Sequence, residues 1–270
     1  MNAVEIRQIF YSAQTQQEVA RSGFTGLDNL RNERPDWREY WPMRNFLLAN
    51  TLQEDHYYGF FSPAFGIKTG LDAAKVHAHI AAHPDQDVYL FSPMWDLSAL
   101  FLNVFEQGDF FHPGLGVLSQ EVLAALDYSV DLSALTMDSS STVFCNYVVA
   151  RPAFWREWLA LGEKLYALAE DSSHPLHGRL NATAPYIKDD VQMKVFIMER
   201  LAPLILASRR YSTSALDPFS IRSSTTRFNA FSMEAIVSDA LKTAHLANPY
   251  PDYLRAYFSI RDGMRKSMRG

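Results

Sequence analysis

Polar and aromatic side chains follow three apolar stretches of the chain, at the point where each stretch ends. Tyr11 and Ser12 follow the first stretch, Ser62 and Lys68 follow the second, and Asp96 follows the third. A ring, hydroxyl groups, a cation and a carboxylate together suit a nucleotide, which presents a base, ribose hydroxyls and phosphates. Because ligands of open α/β sheets bind beyond the carboxyl ends of the strands, we expect Tyr11, Ser62 and Asp96 to open onto one hollow. The alternative is that each serine simply ends a strand and that Lys68 is solvated.

The apolar stretches alternate with amphipathic segments along the chain. This alternation predicts an α/β fold with a mainly parallel central sheet flanked by helices. Strands are predicted at residues 6–12, 57–62, 87–92 and 142–149, and helices at residues 38–52, 71–82, 96–107 and 117–126. A longer helix begins at Pro152, and its predicted apolar stripe consists of Phe154, Trp158, Leu161, Leu165 and Leu168. Residues 23–35 and 174–186 are predicted loops.

The composition limits the classes of protein that the chain can form. With 270 residues, 48% of them apolar, it has the composition of a folded protein. We expect one α/β domain over residues 1–270, with a core at about residues 6–206 and a C-terminal extension at about residues 215–270. The net charge of −5 argues against general binding to nucleic acid, which needs a basic surface. The sequence has neither a signal-peptide core nor a run of ~20 apolar residues, so we expect a cytoplasmic protein.

Cys145 is the single cysteine of the chain. One cysteine excludes a disulfide within the chain and a zinc site built from several cysteines. Because Cys145 lies in an apolar stretch, we interpret it as a buried structural thiol rather than a reactive one.

Two acidic positions are candidates for a divalent metal. Asp85 and Asp87 form an Asp-x-Asp pair, but the pair precedes a predicted strand and so belongs to the amino end of the sheet. We interpret it as a solvated turn. Asp96 follows a strand instead, and its carboxylate is our candidate ligand for Mn²⁺ or Mg²⁺, of which Mg²⁺ typically takes one or two carboxylates plus substrate phosphates.

Other polar residues lie close to predicted helix ends. Asn103 shares a helix face with Gln107, and His112 lies in the turn that follows. Substrate contact and a hydrogen-bonded helix end explain Asn103 and His112 equally well. Asp189 and Asp190 precede an apolar segment, where a helix N-terminus would favour carboxylates.

Four short stretches keep the order and spacing of a known family. They are Ile9–Ser12, Tyr57–Pro63, Phe144–Val149 together with Phe154–Leu159, and Val195–Leu201. Over roughly residues 6–206, the chain resembles a bacterial family of glycosyltransferases with the GT-A-type fold, often linked to surface polysaccharide synthesis. The sequence also lacks the glycine-rich dinucleotide motif, the P-loop and the Gly-x-Ser-x-Gly elbow of hydrolases.

The resemblance implies that a sugar is transferred from a nucleotide diphosphate sugar to a glycan or lipid-linked acceptor. The leaving diphosphate gathers negative charge, so the family resemblance implies cations beside it. Lys68, Arg200 and a Mn²⁺ or Mg²⁺ ion on Asp96 are the candidates. The Asp-x-Asp pair of the family is not in its usual place after a strand, which leaves metal dependence open.

An inverting transferase also needs a carboxylate that takes the proton of the acceptor hydroxyl. The candidates are Asp190, Asp189 and Glu199, with Asp190 ranked first. Each has a structural alternative, as a charge at a helix start or as one partner of an internal ion pair.

Two further questions are left open by the sequence. A non-catalytic nucleotide- or carbohydrate-binding protein with the same fold is the alternative function, and the displaced Asp-x-Asp pair is its main support.

Residues 255–270 carry five basic residues and one acidic residue beside several aromatic ones. Such a tail would contact anionic lipid at the inner face of the membrane, but a docked helix with a solvated basic side is the simpler interpretation.

Overall fold

A mixed six-stranded β-sheet forms the centre of the protein. The structure is a computed structural model that describes residues 3–186, 189–221 and 227–267. The strands are β1 (Ala3–Phe10), β2 (Thr25–Asp28), β3 (His56–Phe61), β4 (Val88–Leu90), β5 (Val148–Ala150), β6 (Thr183–Tyr186), β7 (Asp189–Gln192) and β8 (Thr213–Ala215). In the large sheet their order is β2-β1-β3-β5-β4-β8, with only β5 antiparallel to its neighbours, while β6 and β7 pair separately. The predicted α/β class with a mostly parallel sheet is therefore confirmed.

Helices flank this sheet. They are α1 (Ala13–Ser22), α2 (Tyr40–Ala49), α3 (Phe65–Thr69), α4 (Ala73–Ala82), α5 (Trp95–Leu100), α6 (Val104–Phe111), α7 (Leu115–Ala125), α8 (Pro152–Glu170), α9 (His177–Asn181), α10 (Met193–Met198), α11 (Leu201–Ala207), α12 (Ser232–Ala247) and α13 (Pro251–Ser267). A 3-10 turn at Pro35–Trp37 precedes α2. None of the helices in residues 3–186, 189–221 and 227–267 is both long and apolar enough to cross a membrane.

Strand β3 is buried in the centre of the sheet, with apolar side chains on both of its faces. Tyr57, Tyr58, Phe60 and Phe61 are each at most 4% exposed. Gly59 lies between them, and a Cβ atom there would come within 2.8 Å of the Val149 side chain on β5. Glycine is required at this point so that the antiparallel strand can approach β3 closely.

Helix α8 covers the sheet with the predicted apolar stripe. Phe154, Trp158, Leu161 and Leu165 are buried, in agreement with their helical spacing. The indole nitrogen of Trp155 donates a hydrogen bond of 2.8 Å to the carbonyl of Tyr58, which fixes α8 to β3.

Two predicted elements are shorter than their apolar patterns indicate. The strand predicted at residues 142–149 is confined to Val148–Ala150, because Cys145 and Asn146 adopt left-handed backbone conformations that no strand contains. The helix predicted at residues 96–107 is divided into α5 and α6. Asn103 ends the break, since its side chain caps α6 by accepting hydrogen bonds from the amides of Phe105 and Glu106.

Two predicted loops contain regular structure. Residues 23–35 include β2, an edge strand with exposed side chains and therefore no apolar alternation to reveal it. Residues 174–186 include α9 and β6. Asp189 and Asp190 form part of β7 rather than a helix N-terminus, so that prediction is wrong.

The last two helices pack on α5 around a small apolar cluster of their own. Leu97, Leu100 and Phe101 form one side of this cluster, and Phe228 and Met264 form the other. Arg261 of α13 contacts Glu106 of α6 at 2.6 Å. These contacts describe a docked terminal helix; Arg269 and the side chain of Arg265 lie outside the described part of the chain.

Candidate functional site

The carboxyl ends of β1, β3 and β4 meet at one edge of the sheet because these strands run in the same direction. Strand β5 runs the opposite way, so the residues that precede it reach the same edge. The hydroxyls of Ser62, after β3, and Tyr147, before β5, are hydrogen-bonded at 2.6 Å. The side-chain amide of Gln8 on β1 donates to the carbonyl of Ser62 at 3.0 Å. This edge is therefore held together by buried polar contacts.

A cleft with two parts opens at this edge. The outer pocket, about 420 Å³, is lined by residues that include Ile9, Tyr11, Asn29, Asn32, Arg38 and Glu39. The inner pocket, about 30 Å³, is lined by residues that include Arg38, Glu39, Ser62, Lys68, Asn146 and Glu199. Arg38 and Glu39 line both parts, so the two pockets are adjacent. The ring of Tyr11, 51% exposed, stands at the outer end.

Unusual backbone conformations are concentrated around the cleft. Eight residues other than glycine have positive φ angles in the described part of the chain, and four of them line the cleft. They are Asn32, Arg38, Cys145 and Asn146, with φ angles of 41°, 48°, 61° and 54°. Such conformations cost of order 1–3 kcal/mol each and cluster at binding and catalytic sites.

A lysine and the single cysteine meet in the inner pocket. The ammonium of Lys68 donates a hydrogen bond of 3.2 Å to the sulfur of Cys145. Burial raises the pKa of the Cys145 thiol to about 11, so it remains a neutral thiol at pH 7. Partial desolvation lowers the pKa of Lys68, but its neighbours Cys145 and Tyr147 raise it by more. Lys68 is therefore a cation whose hydrogen-bond acceptor, the Cys145 sulfur, is only a weak one.

Glu199 supplies a carboxyl group with an altered acidity. Desolvation and the negative charge of Glu39 raise the pKa of Glu199, while Arg200, Lys68 and Arg38 oppose the increase. Part of the Glu199 side chain still reaches the inner pocket. A carboxyl group whose pKa is raised toward neutrality is suited to accept a proton from a hydroxyl.

A partly buried ion pair connects two of the chain segments that line the inner pocket. Asp36 accepts a hydrogen bond of 2.8 Å from Lys194, which is only 2% exposed. Asp36 lies just before Arg38 and Glu39, whereas Lys194 lies on the helix α10 that leads to Glu199. The pair therefore holds the segment that carries Glu39 against the helix that leads to Glu199.

Three of the four predicted nucleotide-binding residues line the cleft. Tyr11 lies in the outer pocket, and Ser62 and Lys68 lie in the inner one. Ser12 has another role: its hydroxyl accepts a hydrogen bond of 3.1 Å from the amide of Thr15 and caps α1.

Asp96 does not join Tyr11 and Ser62 in a common hollow, so the prediction of one shared hollow is wrong. Its side chain is in the first turn of α5 and the residue is 1% exposed. Burial in the packed first turn of α5 removes it from the cleft. Among residues 3–186, 189–221 and 227–267, no group of three or more His, Cys, Asp or Glu side chains is placed to hold a metal ion.

The predicted catalytic carboxylates are separated by the fold. Glu199 lines the inner pocket. Asp190 is an exposed residue of β7 and does not line it. The side chain of Asp189 lies outside the described part of the structure.

The predicted substrate contacts Asn103, His112 and Arg200 take part in internal packing. Asn103 donates to the carbonyls of Leu132 and Leu135 in addition to capping α6. The His112 ring stacks on Phe196 at 3.8 Å, and burial lowers its pKa. Arg200 is 7% exposed and donates to the carbonyls of Val104 and Phe196 and to the side chain of Gln107. For Asn103 these contacts are those of the hydrogen-bonded helix end that the sequence leaves as an alternative to substrate contact.

A second cavity, about 560 Å³, lies between α6, α7 and α13. Its carboxylates already have partners within the protein. Glu106 accepts from the amide of Leu102 and pairs with Arg261, and Asp109 accepts from the amides of Gly114 and Gly116. We therefore take the cleft at the sheet edge, although its inner pocket is smaller, as the candidate functional site.

Sequence reasoning missed Arg38, Glu39 and Asn146. Arg38 and Glu39 lie at a turn before α2, and Asn146 lies inside a stretch whose apolar pattern predicts a strand.

Comparison of the chain with models of known protein families, with curated proteins and with solved structures gave no match.

Proposed function

We propose that the protein is a GT-A-like glycosyltransferase that moves a sugar from a nucleotide diphosphate sugar to a glycan or lipid-linked acceptor in surface polysaccharide synthesis. One observation carries the proposal. At the carboxyl edge of a mostly parallel sheet, two adjacent pockets have an exposed aromatic ring at one end and a lysine with two carboxyl groups at the other. Ligands of α/β sheets bind at this edge.

The outer pocket suits the nucleoside. The exposed ring of Tyr11 offers a surface on which a base can stack, a contact worth about 1–3 kcal/mol per base. The side chains of Asn29 and Asn32 offer amide donors and acceptors for the base edge and the ribose. The pocket volume of about 420 Å³ is in the range of small-molecule sites.

The junction between the two pockets suits the diphosphate. Arg38 lines both pockets, and its guanidinium group can bind phosphate oxygens through two parallel hydrogen bonds. Lys68 adds a point charge at the inner end. Fixed cations stabilise the charge that develops on the leaving diphosphate, and this is where preorganised electrostatics contribute most.

The inner pocket admits one group of the transferred sugar and places a carboxyl group beside the reacting atoms. In our proposal, Glu199 is the general base that takes the proton of the acceptor hydroxyl while the acceptor oxygen attacks the anomeric carbon and the diphosphate leaves. The surroundings raise the pKa of Glu199, which strengthens it as a base. Asp96 is buried away from the cleft and does not supply the ligand that the sequence predicted for Mn²⁺ or Mg²⁺, so the proposed mechanism assigns the stabilisation of the diphosphate to Arg38 and Lys68.

A thermal-shift screen of UDP-, GDP-, TDP- and CMP-sugars, with and without Mn²⁺ or Mg²⁺, tests the binding step. A ligand at 100 times its Kd stabilises the folded protein by about 2.7 kcal/mol, so binding raises Tm measurably. Failure of every nucleotide sugar to bind or to be hydrolysed would overturn the proposal.

The Glu199→Gln variant tests the chemistry. We expect it to keep its affinity for the nucleotide sugar and to lose about 100- to 10,000-fold in kcat, the usual contribution of general acid–base catalysis. The comparison variant is Asp190→Asn, which removes the carboxylate that the sequence analysis gave as the first candidate for the general base. Loss of turnover in Asp190→Asn but not in Glu199→Gln would return the base role to Asp190. Binding without turnover in the wild-type protein would favour the non-catalytic alternative.

A further inference from the structure

The side chain of Asn146 is buried and makes no hydrogen bond to the described residues. It lines the inner pocket and is 5% exposed. Its side-chain oxygen Oδ1 is fully buried, and within the described part of the chain neither end of the side-chain amide makes a hydrogen bond. Buried polar groups are nearly always hydrogen-bonded, so each exception needs an explanation.

The same chain satisfies another buried asparagine completely. Asn103, 3% exposed, donates from Nδ2 to two carbonyls and accepts at Oδ1 from two backbone amides. The residue beside Asn146 is also satisfied, since the Tyr147 hydroxyl bonds to Ser62. Other buried side-chain atoms, such as Oε1 of Gln8 and Oγ of Ser119, also lack a hydrogen-bond partner among the described residues, but Asn146, unlike them, lines the inner pocket.

Asn146 carries a second energetic cost. Its φ of 54° and the φ of 61° at Cys145 place two consecutive residues in the left-handed region. Asparagine is among the residues that tolerate this conformation, whereas most others do not. An unpaired amide and a strained backbone at one residue destabilise the free protein, and bound ligand can compensate for the first of these costs.

The size of the inner pocket limits what the partner can be. Its volume of about 30 Å³ accommodates one or two groups of the size of a water molecule. A hydroxyl or hydroxymethyl group is of this size, whereas an acetamido group of four heavy atoms is larger. A hydroxyl donates one hydrogen bond, which Oδ1 of Asn146 can accept, and its own oxygen can accept from the nearby Lys68 ammonium.

We infer that Asn146 is a specificity-determining residue whose buried side-chain oxygen accepts a hydrogen bond from a hydroxyl of the transferred sugar. This inference rests on the proposed function. It assigns the donor to nucleotide sugars with a free hydroxyl at the contacted position, rather than to N-acetylated sugars at that position. Leaving a buried acceptor unpaired costs about 1–3 kcal/mol, which corresponds to about 5- to 150-fold in affinity.

The test compares the wild-type protein with Asn146→Gly by isothermal titration calorimetry. The ligands are UDP, UDP-glucose and UDP-N-acetylglucosamine, together with GDP and GDP-mannose. Glycine adopts a positive φ without strain, so this variant should fold with an unchanged or higher Tm. We expect the wild-type protein to bind UDP-glucose or GDP-mannose more tightly than the nucleoside diphosphate alone. Asn146→Gly should lose this sugar-dependent gain, about 5- to 150-fold, with the affinity for the diphosphate unchanged.

Asp127→Gly is the matched control, because Asp127 is exposed, has a φ of 56° and is not among the residues that line the cleft. It should change no affinity. Equal binding of the sugar by wild-type protein and Asn146→Gly would overturn the inference while leaving the proposed function intact, and would assign the partner of Asn146 to a permanently bound water. A gain for UDP-N-acetylglucosamine as large as that for UDP-glucose would also overturn it. If no nucleotide or nucleotide sugar binds, the proposed function fails and the inference fails with it.

Discussion

Glu39 and Glu199 place two carboxyl groups in one small pocket. Desolvation and the charge of Glu39 raise the pKa of Glu199. Perturbed carboxyl groups of this kind are common in active sites, where they exchange protons. In our proposal Glu199 exchanges the proton, and Glu39 tunes its pKa.

This division of roles predicts how the pH profile changes in Glu39→Gln. The substitution removes a negative charge that disfavours ionisation of Glu199, so the pKa of Glu199 falls. Because the base must be deprotonated, the acidic limb of kcat/KM should move to lower pH. Steady-state kinetics with a nucleotide sugar and acceptor between pH 4 and 9 measure the shift.

Glu33→Gln, which removes an exposed carboxylate paired with Arg31, should leave the acidic limb in place. An acidic limb that is identical in Glu39→Gln and wild type would contradict the role of Glu39.

The short elements around the cleft depend on ion pairs for their placement. The 3-10 turn at Pro35–Trp37 has little apolar surface apart from Trp37, and it is fixed to α8 and α10 by charged side chains. Arg34 and Lys194 both donate to Asp36 at 2.8 Å. Burial opposes ionisation of Asp36, but these hydrogen bonds outweigh it and lower its pKa to about 2.

We expect Asp36→Asn to destabilise the protein by about 1–3 kcal/mol, because it leaves the buried ammonium of Lys194 without its closest carboxylate. Asp36 has a lowered folded-state pKa, so its stabilisation is present above the ordinary value of 3.8 and is lost as the pH falls toward about 2. Urea unfolding at pH 7 and at pH 2–3 should therefore show a deficit that shrinks in acid.

Two controls accompany this measurement. Asp252→Asn breaks an exposed ion pair with Arg255 and should cost less than about 0.5 kcal/mol. The double variant Asp36→Asn, Lys194→Met should recover much of the loss, since no charge is then left buried. An Asp36→Asn variant as stable as Asp252→Asn would show that the ion pair does not hold the turn.

The sequence predicts those parts of the cleft that follow from strand ends. Tyr11 and Ser62 come directly after buried strands, and the parallel direction of those strands brings them to one edge. Asp96 follows a strand in the same way, but it begins a helix that turns into the interior, and no local pattern reveals that turn. The position of Asn146 at this edge could not be predicted, because it depends on the antiparallel direction of β5. That direction is set by long-range strand pairing.

At the scale of the whole molecule, the C-terminal helices are joined to the rest by an unusual buried cation. Lys242 of α12 is 0% exposed and donates to the carbonyls of Ser98 and Phe101, at 2.6 Å and 3.0 Å, at the end of α5. Burial lowers the pKa of Lys242 to about 8. The negative charges of Asp239, Asp138 and Glu106 oppose this lowering, and the positive charge of Arg261 adds a smaller lowering contribution. The docking of residues 227–267 is therefore coupled to proton binding at one lysine.

A lysine whose folded-state pKa lies below its ordinary value of 10.5 makes the folded state bind fewer protons than the unfolded state between about pH 8 and pH 10.5. The free energy of unfolding should therefore rise with pH across this range, by on the order of 3 kcal/mol from Lys242 alone. Lys242→Met keeps an unbranched side chain in the site but cannot titrate, so its stability curve should lack this rise. Urea unfolding at pH 7, 8, 9 and 10 measures the difference between wild type and variant, which cancels the titration of all other groups. Lys75→Met, at an exposed position of α4, should give a curve parallel to wild type. If the Lys242→Met curve were also parallel to wild type, Lys242 would titrate normally, and the C-terminal helices would be docked by their apolar cluster alone.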